Sequence, residues 1–140
     1  PSGSSFGHMT IDADLKALAQ GKNFAALTTI LPSGHPQTQI MWVGADDEHV
    51  LINTEAGRQK FRNVEADPRV TVCVFNNDNP YQYVEARGKV VGTAAGDEAR
   101  AHIDELSQKY MGAPYGNPIG PEGRVILKIE VERIHKNGIG

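Results

Sequence analysis

The stretch Phe24-Ala25-Ala26-Leu27-Thr28-Thr29-Ile30-Leu31-Pro32-Ser33-Gly34-His35-Pro36-Gln37-Thr38-Gln39-Ile40-Met41-Trp42-Val43 decides the fold class. Phe24 to Leu31 is apolar and β-branched, the composition of a strand, and it stops at Pro32-Ser33-Gly34, whose residue types favour a tight turn. Gln37 to Val43 returns as a second strand. Together they form a hairpin, so the regular structure begins as antiparallel β.

Toward the C-terminus a turn is expected at Gly44-Ala45-Asp46-Asp47, followed by a third strand from His49 to Thr54. Gly57 to Ala66 is polar and rich in helix formers, and Asp67-Pro68 stops it, which predicts a helix. In the strand Arg69 to Phe75, Val70, Val72 and Val74 share one face while Cys73 and Phe75 keep the other largely apolar, the pattern of a strand covered on both sides. One face then meets the barrel interior and the other is suited to a partner subunit. A polar loop over Asn76-Asn77-Asp78-Asn79-Pro80 precedes a long strand from Tyr81 to Val91, with Gly88 placed to kink it at a corner.

Asp97 to Tyr110 reads as an amphipathic helix, because Ala99, Ile103, Leu106 and Tyr110 recur at helical spacing; Gly112 closes it. After a loop rich in Gly and Pro, Val125, Leu127, Ile129 and Val131 alternate with Lys128, Glu130 and Glu132 as the last strand. Toward the N-terminus, Thr10 is expected to cap a helix over Ile11 to Gln20 that ends at Gly21. Residues 1–9 read as a tag remnant with a start methionine, leaving residues 10–140 as a single domain. Six strands, mostly joined by hairpins and interrupted by helices, predict a mainly β, antiparallel barrel with flanking helices.

A chain of 140 residues buries roughly two thirds of its unfolded surface, enough for a core without disulfide or metal. The only cysteine, Cys73, sits in an apolar run and reads as a small buried hydrophobe, in keeping with a reducing, cytoplasmic setting. The net charge of −3 gives no broad basic footprint, which argues against nucleic acid as a partner. No run reaches the roughly 20 apolar residues of a membrane span, so no membrane partner is expected.

No histidine pair has metal-site spacing, and neither Ser33 nor Ser107 lies in a nucleophile elbow. Glu85, Glu130 and Glu132 fall at strand positions that read as solvated. No metal site and no hydrolase nucleophile is therefore assigned. The distinctive segment is Asn53-Thr54-Glu55-Ala56-Gly57-Arg58-Gln59-Lys60-Phe61-Arg62-Asn63, where a strand end enters a helix start carrying three cations. Unpaired N–H groups at a helix start, with Arg58 and Lys60, outline a phosphate site. The same segment also reads as a solvated helix face with Phe61 and Val64 as its apolar stripe. Trp42, with Met41, reads either as barrel core or as support for a flat ring. Tyr81 and Tyr83 share a strand face, as interface anchors or as cofactor contacts.

Several segments together resemble the F420-dependent branch of the pyridoxamine 5'-phosphate oxidase-like split-barrel proteins. They are Phe24 to Thr29, Ser33 to Thr38, Met41-Trp42-Val43, Asn53-Thr54 with Gly57 to Asn63, Asp67 to Val70, Asn79 to Glu85 with Arg87-Gly88, and Lys109-Tyr110-Met111-Gly112. The resemblance covers nearly all of residues 10–140, in the family's order. It implies a six-stranded antiparallel split β-barrel of the FMN-binding type and a homodimer with two cofactor sites at the subunit interface.

The cofactor implied is F420, with FMN as the alternative. By matching positions, Gln39, Met41, Trp42 and Val43 lie along the ring, Asn53 and Thr54 beside the linker, and Arg58, Gln59 and Lys60 on the phosphate. Asn79, Tyr81 and Tyr83 approach from the same or the other subunit. The activity implied is hydride transfer from reduced F420 to an unsaturated, planar small-molecule substrate, with no dedicated side-chain acid, so the resemblance assigns no catalytic residue. A non-catalytic F420 carrier and an FMN-binding oxidase or stress protein of the same fold are the competing readings. Arg133-Ile134-His135-Lys136 does not match the substrate-binding motif of the vitamin B6 oxidases, which favours the deazaflavin branch.

Overall fold

The computed structural model describes residues 10–139; the segment read as a tag remnant, 1–9, lies outside them. The order of elements is α1 (Ala13–Gln20), β1 (Phe24–Ile30), β2 (Pro36–Trp42), β3 (Gly44–Ala45), β4 (Val50–Glu55), α2 (Gln59–Ala66), β5 (Arg69–Asn76), β6 (Asn79–Ala95), α3 (Gly96–Met111) and β7 (Arg124–Asn137). The seven strands form one curled antiparallel sheet in the order β2-β1-β5-β6-β7-β4-β3.

Among the described residues the strands number seven, not six. Gly44 and Ala45, expected in a turn, pair with Leu51 and Val50 as a two-residue strand. A turn signal is local, whereas this pairing depends on what the returning chain meets. The consequence is topological: β2 and β3 are the two edges of the sheet, yet only Val43 separates them along the chain. The sheet curls until its edges become one continuous piece of backbone, which is how it approaches a barrel without a further strand.

The interior follows from alternation. Ala25, Leu27, Val50, Ile52, Val70, Val72, Val74, Val84, Leu127 and Ile129 are buried in a single core, with Leu15 and Ala19 of α1 packed into it. The expected Val70, Val72, Val74 face is thus inside, and Cys73 and Phe75 lie half-buried on the other side. β6 has 17 residues, about 56 Å if straight, longer than a domain of this size is wide. It bends where its register against β7 shifts, between Arg87 and Gly88 and between Val90 and Gly92. Gly88 is required at the first bend, since a Cβ there would lie 1.8 Å from the carbonyl oxygen of Glu130.

Several boundaries differ from expectation. The α1 cap is Asp12, not Thr10: its carboxylate accepts from the N–H groups of Asp14 and Leu15 at 3.0 and 3.1 Å. The polar loop at Asn76–Pro80 shrinks to a turn at Asn77 and Asp78, because the ladder between β5 and β6 draws in Asn76 and Asn79. β6 and β7 also run longer than expected, to Ala95 and Asn137, since each is the other's long partner.

Candidate anion and cofactor site

Val43 pairs with no neighbouring strand in the observed ladders, because the chain leaves one sheet edge there and enters the other. Buried backbone groups need partners, and α3 supplies them. The Val43 N–H donates to the Tyr110 hydroxyl at 3.1 Å, and the Val43 carbonyl accepts from Lys109 Nζ at 2.7 Å. Lys109 Nζ also donates to the Ala19 carbonyl at 2.9 Å, and the Tyr110 hydroxyl donates to the Asn23 carbonyl. Burial beside these carbonyls pushes the Lys109 ammonium down to about 8. The Lys109-Tyr110-Met111-Gly112 segment therefore locks the seam, with Gly112 ending the helix at a φ of 73°.

The residues expected along a ring do not share one face. On β2, Gln39 pairs with buried Leu27 and Met41 with buried Ala25, so both lie on the inner face, at the edge of the sheet. Trp42 points the opposite way, stacked on Tyr110 with ring centroids 5.0 Å apart and planes 5° from parallel. Val43 is fully buried, and α3 occupies its backbone groups. Of the residues expected along the ring, β2 leaves open Gln39 and the partly covered Met41, beside the free backbone edge of the strand.

Asn53 and Thr54 diverge in the same way. Thr54 is buried opposite Val125, on the core face. Asn53 turns to α3, where its amide nitrogen lies 3.0 Å from both the Ala99 carbonyl and His102 Nδ1. Its oxygen accepts from Arg124 Nε at 2.8 Å. The amide group is thus the donor to His102 Nδ1, which places the neutral imidazole's proton on Nε2. Desolvation holds the His102 pKa below its ordinary value.

The α2 start does gather cations. Arg58 is the N-cap, and its side chain makes no capping hydrogen bond, so no side-chain oxygen covers the first turn. Burial lowers the Lys60 pKa, helped by the positive charges of Arg58 and Arg124. The Arg124 pKa is likewise lowered by burial, with Arg58 adding to the effect. Two carboxylates stand beside these cations: Glu55, 3.6 Å from Arg58 and 3.9 Å from Arg124, and Glu122, whose carboxylate lies over Gly57 at the helix entry.

Two other members of the helix are tied down locally. Gln59 donates to Asn63 at 2.8 Å and accepts from Arg62, whose other nitrogen donates to the Gly57 carbonyl. Asn63, buried, anchors the helix on Thr29 at 2.9 Å and Gln37 at 3.3 Å. Lys60 is half-buried, and Arg58 is exposed with Glu55 as its carboxylate partner. Arg124 was not legible as part of this cluster: it lies far along the chain and arrives only because β7 pairs with β4, Arg124 opposite Glu55.

Asn79 and Tyr81 are exposed and Tyr83 half-buried, the two tyrosines on the outer face of β6, opposite buried Val84 and Ala86. Tyr83 lines a shallow cleft of about 380 Å³ on that face with Ala26, Thr28, Thr71, Cys73, Glu85 and His135.

Residues 11–138 match the family model of pyridoxamine 5'-phosphate oxidase. No curated protein matches the chain. Among solved structures, an F420 reductase is 30% identical, with a TM-score of 0.77 over 91% of this chain and 100% of its own. A conserved hypothetical protein from Mycobacterium tuberculosis is 23% identical, with a TM-score of 0.69 over 95% of this chain and 88% of its own. A pyridoxamine 5'-phosphate oxidase-related, FMN-binding protein from Nostoc punctiforme is 16% identical, with a TM-score of 0.58 over 81% of this chain and 72% of its own. The last two share the fold. The family model and the likeness to the reductase together establish that this chain belongs to the pyridoxamine 5'-phosphate oxidase-like split-barrel family.

Proposed function

We propose that the protein is an F420H2-dependent oxidoreductase that reduces an unsaturated, planar small molecule. The observation that carries this reading is the convergence of Arg58 and Lys60, backed by Arg124, at the uncapped start of α2. Such a cluster fits a phosphate: the helix start offers N–H groups and partial positive charge, Arg58 a planar fork and Lys60 a point charge. When bound, the reduced deazaflavin supplies the hydride. Arg58 and Lys60 hold the phosphate, the backbone edge of β2 with Gln39 and Met41 borders the ring, and Asn79, Tyr81 and Tyr83 close the site from the same or a second subunit. Trp42 and Asn53 serve the site indirectly, by fixing α3 over the seam.

The site is completed by dimerisation. Ile40, Ala26, Cys73, Glu85 and His135 pair in one row across β2, β1, β5, β6 and β7 on the outer face. Ile40 is 62% exposed there, and the apolar end of this row suits a second copy.

FMN is the second reading, favoured by the fold shared with the FMN-binding relative and by a phosphate site that accepts either molecule. The test is an absorption titration of the full chain with F420 and with FMN, followed by reoxidation of bound F420H2 by enones, quinones and tetrapyrroles. Tight F420 binding with turnover is expected. Binding without turnover would make the protein a carrier, and preference for FMN would overturn the deazaflavin assignment.

A further inference from the structure

We infer that Arg124 is a positioning residue of the anion site, acting through Glu55 on Arg58; the inference rests on the proposed phosphate-binding role of Arg58 and Lys60. Arg124 is not itself free to bind a ligand. Its side chain is 9% exposed. Its Nε and Nη2 donate to the side-chain and backbone oxygens of Asn53 at 2.8 and 3.3 Å, and its guanidinium lies over the Tyr115 ring, 5.3 Å from the centroid. One nitrogen, Nη1, is left, and it faces Glu55 Oε1 at 3.9 Å.

Glu55 spends its two oxygens in two directions. Oε1 also accepts from the Gly120 N–H at 3.2 Å, and Oε2 faces Arg58 Nε at 3.6 Å. The Gly120 bond, with the lesser pull of Arg58 and Arg124, holds the Glu55 carboxyl below its ordinary pKa, so it is ionised at neutral pH. The Arg58 side chain is 57% exposed, and no other carboxylate among the described residues pairs with it. An exposed arginine alone samples many rotamers, and ordering it on binding costs free energy. A carboxylate fixed from behind by a buried guanidinium removes part of that cost before the ligand arrives. The fixing needs a fork: a lysine at position 124 would keep the charge but could not bond Asn53 and face Glu55 together.

This role reverses an electrostatic expectation. If Glu55 were only a negative charge near an anion site, its removal would tighten anion binding. As the element that orients Arg58, its removal weakens it. The experiment uses the full chain with inorganic pyrophosphate as probe, in parallel with F420, comparing wild type, Glu55→Gln and Arg124→Lys. Affinity is read by calorimetry, and the Arg58 Nε–Hε group by its NMR signal and exchange rate in the free protein. Glu55→Gln keeps an oxygen for Gly120 and guards against loss of folding, which the thermal midpoint checks.

Both variants are expected to bind pyrophosphate roughly tenfold more weakly and to speed exchange at Arg58 Hε. Tighter binding by Glu55→Gln, or an Arg58 signal in free protein unchanged by either variant, overturns the inference. Wild type that binds pyrophosphate but neither F420 nor FMN would instead overturn the proposed function while leaving the role of Arg124 standing. Failure of wild type to bind any of the three, with Arg58 unaffected by the variants, would remove both.

Discussion

The Tyr110 hydroxyl stands 3.1 Å from the backbone nitrogen of Val43, joining the end of α3 to the one residue that separates the two edges of the sheet. Tyr110→Phe keeps the ring that stacks on Trp42 but removes the acceptor for the Val43 N–H and the donor to Asn23. Leaving a buried N–H unpaired costs about 1–3 kcal/mol. The urea midpoint is expected to fall accordingly with the fold retained; an unchanged midpoint would show that the seam closes without this bond.

Lys109 gives the same seam a pH signature. The folded chain releases the Lys109 proton near a pKa of about 8, against 10.5 ordinarily. Between those values the unfolded chain binds the extra proton, so this group makes stability rise with pH across that window and adds no slope below it. Denaturation curves from pH 7 to 10 should show that rise in wild type and lose it in Lys109→Met. Equal slopes in the two proteins would refute it.

At the bend of β6, a methyl group has nowhere to go. The Cβ of Gly88→Ala would meet the Glu130 carbonyl oxygen at 1.8 Å, and this obstacle is backbone rather than a movable side chain. A loss of about 3 kcal/mol is expected, read as a lowered thermal midpoint or a failure to fold. Wild-type stability would mean that the two strands can part there.

Lys60→Ala is expected to weaken F420 binding by about ten- to a hundredfold, the value of one charge-assisted hydrogen bond to phosphate. Turnover at saturating cofactor should change far less, because the phosphate is remote from the reacting carbon. Since burial and neighbouring cations depress the Lys60 pKa, a bound anion should raise it, which NMR of the ammonium group can follow. Unaltered affinity in a folded variant would place the phosphate elsewhere.

The outer-face row predicts that Ile40→Glu, a change at an exposed position, leaves the thermal midpoint of the subunit nearly intact while shifting sedimentation from dimer toward monomer. Cofactor affinity should fall with dimer content. A wild-type protein that sediments only as monomer at micromolar concentration would exclude the shared site.

The sequence by itself determined all the elements but the short strand at Gly44–Ala45. Period-two burial in Val70, Val72, Val74 and in Val125, Leu127, Ile129, and helical spacing in Ala99, Ile103, Leu106, Tyr110, are local patterns, because side-chain direction along one element follows from backbone geometry alone. The cations of Arg58 and Lys60 at a helix start were legible for the same reason. Tertiary structure alone decided what required two distant segments to meet. Gly44 and Ala45 became a strand because Leu51 and Val50 lay beside them, and Arg124 came to stand beside Glu55 and Arg58 because β7 pairs with β4 in a register that sets it opposite Glu55. The divergence of Asn53 from Thr54, and of Trp42 from Met41, follows from strand alternation; which face looked inward and which met α3 was fixed only when the sheet curled, since a strand's pattern states that its faces differ and not what each will touch.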